Sequence, residues 1–168
     1  MNRKLLAVHD ALTRFAFALA GVALVLLLCA YVFEVVSRYG FNAPTRWTSD
    51  LVQYLLCVSV TLALPQVTRE GGHVAITSFL EKLPASSQAV AARWIQGTGA
   101  LVLGCTAAAF VVVSGQQAAQ GIETVAAFAI PKWWLSMLVA FGLVGAALHL
   151  LRQAVGSETA QAGHEMDV

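Results

Sequence analysis

Four long apolar runs divide the chain, and its polar residues gather almost entirely between them. Phe15 to Phe33 is nineteen residues without a charge, and Leu51 to Thr68 is eighteen. Trp94 to Ile122 is also uncharged, with its most apolar part from about Gly97 to Ser114. Trp133 to Leu151 gives nineteen more, relieved in polarity only by Ser136 and His149. A helix needs about 20 mostly apolar residues to cross the hydrocarbon layer of a bilayer, and it satisfies its own backbone hydrogen bonds while doing so. The pattern predicts an all-α integral membrane protein with four transmembrane helices, spanning about 15–37, 47–68, 94–115 and 132–152. These form a single four-helix membrane domain over residues 1–155, followed by a polar C-terminal tail over 156–168. Trp47, Trp94, Trp133 and Trp134 stand at the ends of spans, where indole rings favour the membrane–water boundary.

The connection between the second and third spans has a different period. Ile76, Phe79, Leu80 and Leu83 follow the i, i+3, i+4, i+7 spacing of one apolar helical stripe. Gly71-Gly72 breaks the chain before it, His73 opens it and Pro84 ends it. At about ten residues it is too short to cross. A short interfacial amphipathic helix over about 73–83 is predicted.

Composition agrees with a membrane protein. The chain is 58% hydrophobic and 11% charged, against roughly 25% charged in an average soluble domain. Its net charge of +1 offers no basic field for nucleic acid. Cys29, Cys57 and Cys105 lie inside apolar runs without metal-ligand spacing, and read as small hydrophobes. The first run is longer than a signal-peptide core of about 7–15 residues and no small-x-small cleavage site follows, so it is expected to remain as an anchor. With the N-terminus in the cytoplasm, seven basic residues (Arg3, Lys4, Arg14, Arg69, Lys82, Arg93, Arg152) fall inside and three (Arg38, Arg46, Lys132) outside. That balance follows the positive-inside tendency, and an even number of spans returns the C-terminus to the cytoplasm.

Candidate chemistry is sparse. A bis-histidine haem between helices wants two intramembrane histidines, and only His149 lies in a span. Neither zinc spacing, a phosphate-binding glycine loop nor a nucleophile elbow is present, so no cofactor and no enzyme activity are expected. Gly97, Gly99, Gly104, Gly142 and Gly145 suit close helix–helix packing. The densest polar segment is Arg38 to Asp50, between the first two apolar runs. There Asn42 and Pro44 read as a helix start. Glu34 and Arg38, Arg46 and Asp50, and Asp50 and Tyr54 are each four apart and would share a helix face.

These residues carry a resemblance. Arg38, Phe41, Asn42, Pro44, Trp47 and Asp50 are similar in order and spacing to the loop of the small permease subunit of TRAP (tripartite ATP-independent periplasmic) transporters. Arg69-Glu70-Gly71-Gly72-His73-Val74 resembles that family's turn before its interfacial helix, and Pro131-Lys132-Trp133-Trp134 its entry to helix four. The likeness covers roughly Leu5 to Arg152. Asp50 stands where glutamate is commoner, Thr77 replaces a frequent acidic residue, and helix four lacks a frequent proline. The resemblance implies a scaffold subunit in the bacterial inner membrane, working with a large permease subunit and a periplasmic substrate-binding protein to import an organic acid by ion symport. It places Arg38, Phe41, Asn42, Pro44, Arg46, Trp47, Asp50 and Tyr54 at the partner-docking face, with His73, Ile76, Phe79, Leu80 and Leu83 on the interfacial helix. Two other readings of four helices stay open: a small multidrug exporter using Glu34, and a membrane anchor of a respiratory complex.

Overall fold

The computed structural model describes residues 3–70, 85–127 and 129–164. Four helices account for nearly all of them: α1 (Arg3–Gly40), α2 (Thr48–Arg69), α3 (Ala85–Gln120) and α4 (Lys132–His164). Each is long and apolar enough to cross a membrane. The expected interfacial helix, with His73, Ile76, Phe79, Leu80 and Leu83, lies outside the described residues. At about 1.5 Å per residue, the 22 residues of α2 just match a hydrocarbon layer about 30 Å thick. The 38 residues of α1 and the 36 of α3 exceed it by several turns. Their surplus carries polar groups out of the apolar layer.

The helices stand in the order α1, α2, α4, α3, each packing substantially only on its neighbours in that series. α1–α2 and α3–α4 are antiparallel hairpins, and the α2–α4 contact that joins them is parallel. A third of the apolar window of α2 and of α4 is buried, against 17% in α1 and α3. The inner pair is the core, and the outer pair turns most of its apolar surface outward.

Small residues make the seams. On α1 the buried positions are Thr13, Ala16, Ala20, Ala23 and Glu34, with Leu27, Ala30 and Ser37 half-buried between them. Those positions alternate three and four apart, the spacing of a left-handed pair. On α3, Ala100, Ala107 and Ser114 repeat every seven. Lipid is as apolar as leucine, so helices in it gain by close backbone approach, and alanine and glycine allow that approach. The chain's bulky Leu, Val and Phe residues face outward on both outer helices.

The α2–α4 seam is the tightest. Pro65 lies inside α2 and has no N–H to give the Thr61 carbonyl, its ordinary partner one turn back. Gly142 of α4 sits against that carbonyl, and a Cβ there would come within 2.6 Å of Thr61 Cγ2. One turn further, Gly145 rests on the Pro65 ring, leaving 2.9 Å between its Cβ direction and Pro65 Cγ. Gly99 likewise lets Leu150 of α4 approach α3. Gly97 and Gly104 have open space beside them, so only three of the five glycines expected in packing grooves line one among the described residues. Ser136 donates to Gln117 Oε1 at 2.8 Å and Ser114 to the Trp133 carbonyl at 3.1 Å, fixing the α3–α4 register.

Candidate functional site at the loop end

The α1–α2 loop is folded around one carboxylate. Glu34 lies on the α1 seam, 7% exposed, with Arg38 one turn beyond it on the same face. Arg38 donates to Glu34 Oε1 through Nη2 at 2.7 Å and Nε at 3.2 Å. The other oxygen, Oε2, accepts the Thr45 backbone N–H at 3.2 Å and the Thr45 hydroxyl. Because that hydroxyl spends its proton on Glu34, the buried Thr48 hydroxyl donates to Thr45 Oγ1 in turn. Helix end, loop and next helix start therefore converge on Glu34. The paired expectation for Glu34 and Arg38 holds, and the carboxylate also does something local spacing could not show.

Asn42 corrects the expected helix start. It adopts φ +52, the left-handed conformation that asparagine tolerates better than most residues. This turns the chain so that Ala43 N–H reaches the Ser37 carbonyl at 3.0 Å, while the Ser37 hydroxyl donates to the Ala43 carbonyl at 2.6 Å. Asn42 thus closes α1 instead of capping α2. Pro44 lies in the loop, and α2 begins at Thr48 after Trp47. Trp47 faces Phe33, with ring centroids 6.1 Å apart.

The expected Arg46–Asp50 pair is also absent, because Arg46 precedes the helix and the two residues never share its face. Asp50 Oδ2 instead accepts the Ala127 N–H at 2.6 Å, reaching the α3–α4 loop. Tyr54, a turn down α2, donates to Thr124 Oγ1 at 2.7 Å. The loop it meets is itself well built. Gly121, at φ +60, ends α3 with Ile122 N–H on the Gln117 carbonyl at 3.1 Å and Gly121 N–H on Ala118 at 3.3 Å. Thr124 and Ile130 then pair across a bridge between Glu123 and Pro131. Hydrogen bonds thus join the two loops at one end of the molecule.

Outward from this frame, Arg46 is exposed and makes no hydrogen bond or ion pair among the described residues. Tyr39 and Phe41 are 81% and 78% exposed, and Val125 at the tip of the second loop is fully exposed. Between α1 and α2 lies a cavity of ≈ 350 Å³ lined by Tyr31, Glu34, Arg38, Thr48, Ser49 and Gln53, among others. The arrangement offers a cation and apolar knobs on a hydrogen-bonded base.

The opposite end, which carries the start of α1, holds a cluster that sequence reading missed. His9 and His149 lie with ring centroids 4.3 Å apart. Thr13 Oγ1 is 3.0 Å from His149 Nε2 and donates to the His9 carbonyl at 2.9 Å. Arg152 donates to Asp10 Oδ1 at 2.5 Å, and Arg69 stands 3.8 Å from Asp10 Oδ2. Gln153 caps the end of α2 through the Thr68 and Arg69 carbonyls. The sequence carried only a weak sign, His9, Asp10 and Thr13 lying in the polar first turns of α1 ahead of its apolar run; their partners on α4 are remote in sequence.

Fold and loop together define a multi-pass helical membrane protein whose polar chemistry lies at its two ends. The family of tripartite ATP-independent periplasmic transporters, DctQ component, matches residues 27–159. A Haemophilus influenzae protein assigned as a TRAP transporter small permease is 32% identical over 76 residues, 45% of this chain and 47% of the relative. The matched stretch thus spans about half the length of that curated relative. The chain belongs to the DctQ family, the small permease subunits of TRAP transporters.

Proposed function

We propose that this chain is the scaffold of its transporter: it packs against a large permease subunit and offers the α1–α2 loop to a substrate-loaded periplasmic binding protein. The transported solute is an organic acid, imported by ion symport. The chain lies in the bacterial inner membrane with both termini in the cytoplasm, an orientation supported by the excess of basic residues at the terminal end. One observation carries the docking role. Glu34 organises the loop from within, leaving Arg46, Tyr39 and Phe41 exposed on a hydrogen-bonded base. Phe41, Asn42, Pro44 and Trp47 shape that base, while Asp50 and Tyr54 lock it to the second loop. The same geometry speaks against an exporter working through Glu34, whose two oxygens are engaged by Arg38 and Thr45 at a helix end.

The test is reconstitution in proteoliposomes under a sodium gradient. Uptake of the organic acid carried by the binding protein is expected only with both membrane subunits and the binding protein present. Uptake by this chain alone would overturn the scaffold reading. Charges at a docking face act mainly on encounter and specificity, so Arg46→Glu should assemble normally and slow uptake most at limiting binding protein and low salt. Normal uptake at every binding-protein concentration would remove Arg46 from the docking face.

A further inference from the structure

We propose that His9 and Asp10 of α1 and His149 of α4 form a binding site for a divalent transition-metal ion of the zinc type, which would clip the start of α1 to α4. One ligand atom from each of the three residues lies within 4.8 Å of the others. Around a tetrahedral ion about 2.1 Å from its ligands, those atoms would stand about 3.4 Å apart. Rotamer adjustments of the order of an ångström therefore close the set. Two imidazoles and a carboxylate suit such an ion, with water in the fourth position.

Two details separate this cluster from ordinary polar packing. First, His9 Nε2 is shut away from solvent with no hydrogen-bond partner among the described residues. A buried ring nitrogen without a partner is costly, and native structures rarely leave one. Second, the protons around His149 are already placed. Thr13 has one hydroxyl proton and gives it to the His9 carbonyl, so His149 Nε2 is the donor to Thr13 Oγ1. Its Nδ1 then carries the free lone pair. A histidine ligand held through its second nitrogen by a neighbouring oxygen is the usual support at a metal centre.

Arg69 and Arg152 are the opposing consideration, since both lie on Asp10. A carboxylate has about four lone-pair positions. Arg152 makes its close contact with Oδ1, whereas Oδ2 meets Arg152 at 3.5 Å and Arg69 at 3.8 Å. Oδ2 is the oxygen left for an ion. The arginines would orient Asp10 while lowering affinity by their charge. That gives the site a sign: a cation should gain from loss of Arg69, and an anion such as a lipid phosphate should lose.

The location adds a consequence. α1 and α4 share no substantial helix seam, so these side chains are a main tie between them. An ion there would hold the overhanging start of α1 in place.

The experiment uses the full chain, purified in detergent without a polyhistidine tag. It is titrated with Co²⁺, followed by its visible absorption, and then with Zn²⁺ in competition. One ion per chain is expected. His9→Gln and His149→Gln should each weaken binding by about tenfold or more, and Arg69→Gln should tighten it several-fold. His149 is deeply packed, so His9→Gln, on the overhang of α1, is the variant that keeps its fold. Unchanged Co²⁺ binding in folded His9→Gln would place the ion elsewhere and overturn the proposal. Weaker binding in Arg69→Gln, or no binding by the parent chain at millimolar Co²⁺, would overturn it equally.

Discussion

Glu34 shows how much one side chain can set at the residue scale. Local spacing made its partnership with Arg38 legible, because four residues is one helical turn. It could not show Thr45, which reaches the carboxylate only after the chain has turned at Asn42. Nor could spacing place Asp50, whose partner Ala127 is in another loop. Glu34→Gln keeps the shape but turns one acceptor oxygen into an NH₂ donor, so Arg38 and Thr45 no longer each have an oxygen of their own. The expected outcome is an intact bundle with a loosened loop. Thiol labelling of a cysteine at Ala43 should accelerate, while a cysteine at Val125 on the second loop should label at its former rate. Equal rates at Ala43 in parent and variant would show that the loop stands without Glu34.

At the scale of elements, helix existence was legible and helix pairing was not. Apolar runs of eighteen or nineteen residues have one stable form in lipid, so the four helices follow directly. Which helix meets which depends on small residues that look alike along the sequence. Gly104 and Gly142 are both glycines in apolar runs, yet only Gly142 touches another backbone. Gly142→Ala forces a methyl group into Thr61 and should destabilise the α2–α4 contact by about 1–3 kcal/mol, the usual cost of overpacking. Gly104→Ala meets open space and should be neutral or slightly stabilising. Thermal unfolding of the two variants in detergent checks the contrast. Similar melting temperatures would mean that α4 shifts without cost.

At the scale of the whole molecule, the series α1, α2, α4, α3 is a file of helices instead of a closed bundle. Its outer members keep broad apolar faces turned away from the inner pair. Both structured loops fall at one end, so they must share one side of the membrane. In a background lacking Cys29, Cys57 and Cys105, cysteines at Ala43 and Val125 should both react with a membrane-impermeant thiol reagent applied to the periplasmic face. A cysteine at Glu70 should react only from the cytoplasm. The reverse pattern would invert the orientation, and a split between Ala43 and Val125 would contradict the fold.

Pro65 bears on how the protein is made. The Thr61 carbonyl lacks its usual donor inside α2, and the bilayer has no water to supply one. Such breaks are tolerated in membrane helices because neighbouring segments cover the exposed group. Here the cover is Gly142, whose lack of a Cβ lets α4 lie against that oxygen. Yet α4 leaves the ribosome after α1, α2 and α3. Through the synthesis of α3, the α1–α2 hairpin would sit in the bilayer with an incompletely covered backbone oxygen, and the arrival of α4 would relieve it. The hairpin is thus less settled until α4 has been made, and the arrival of α4 completes the surroundings of α2.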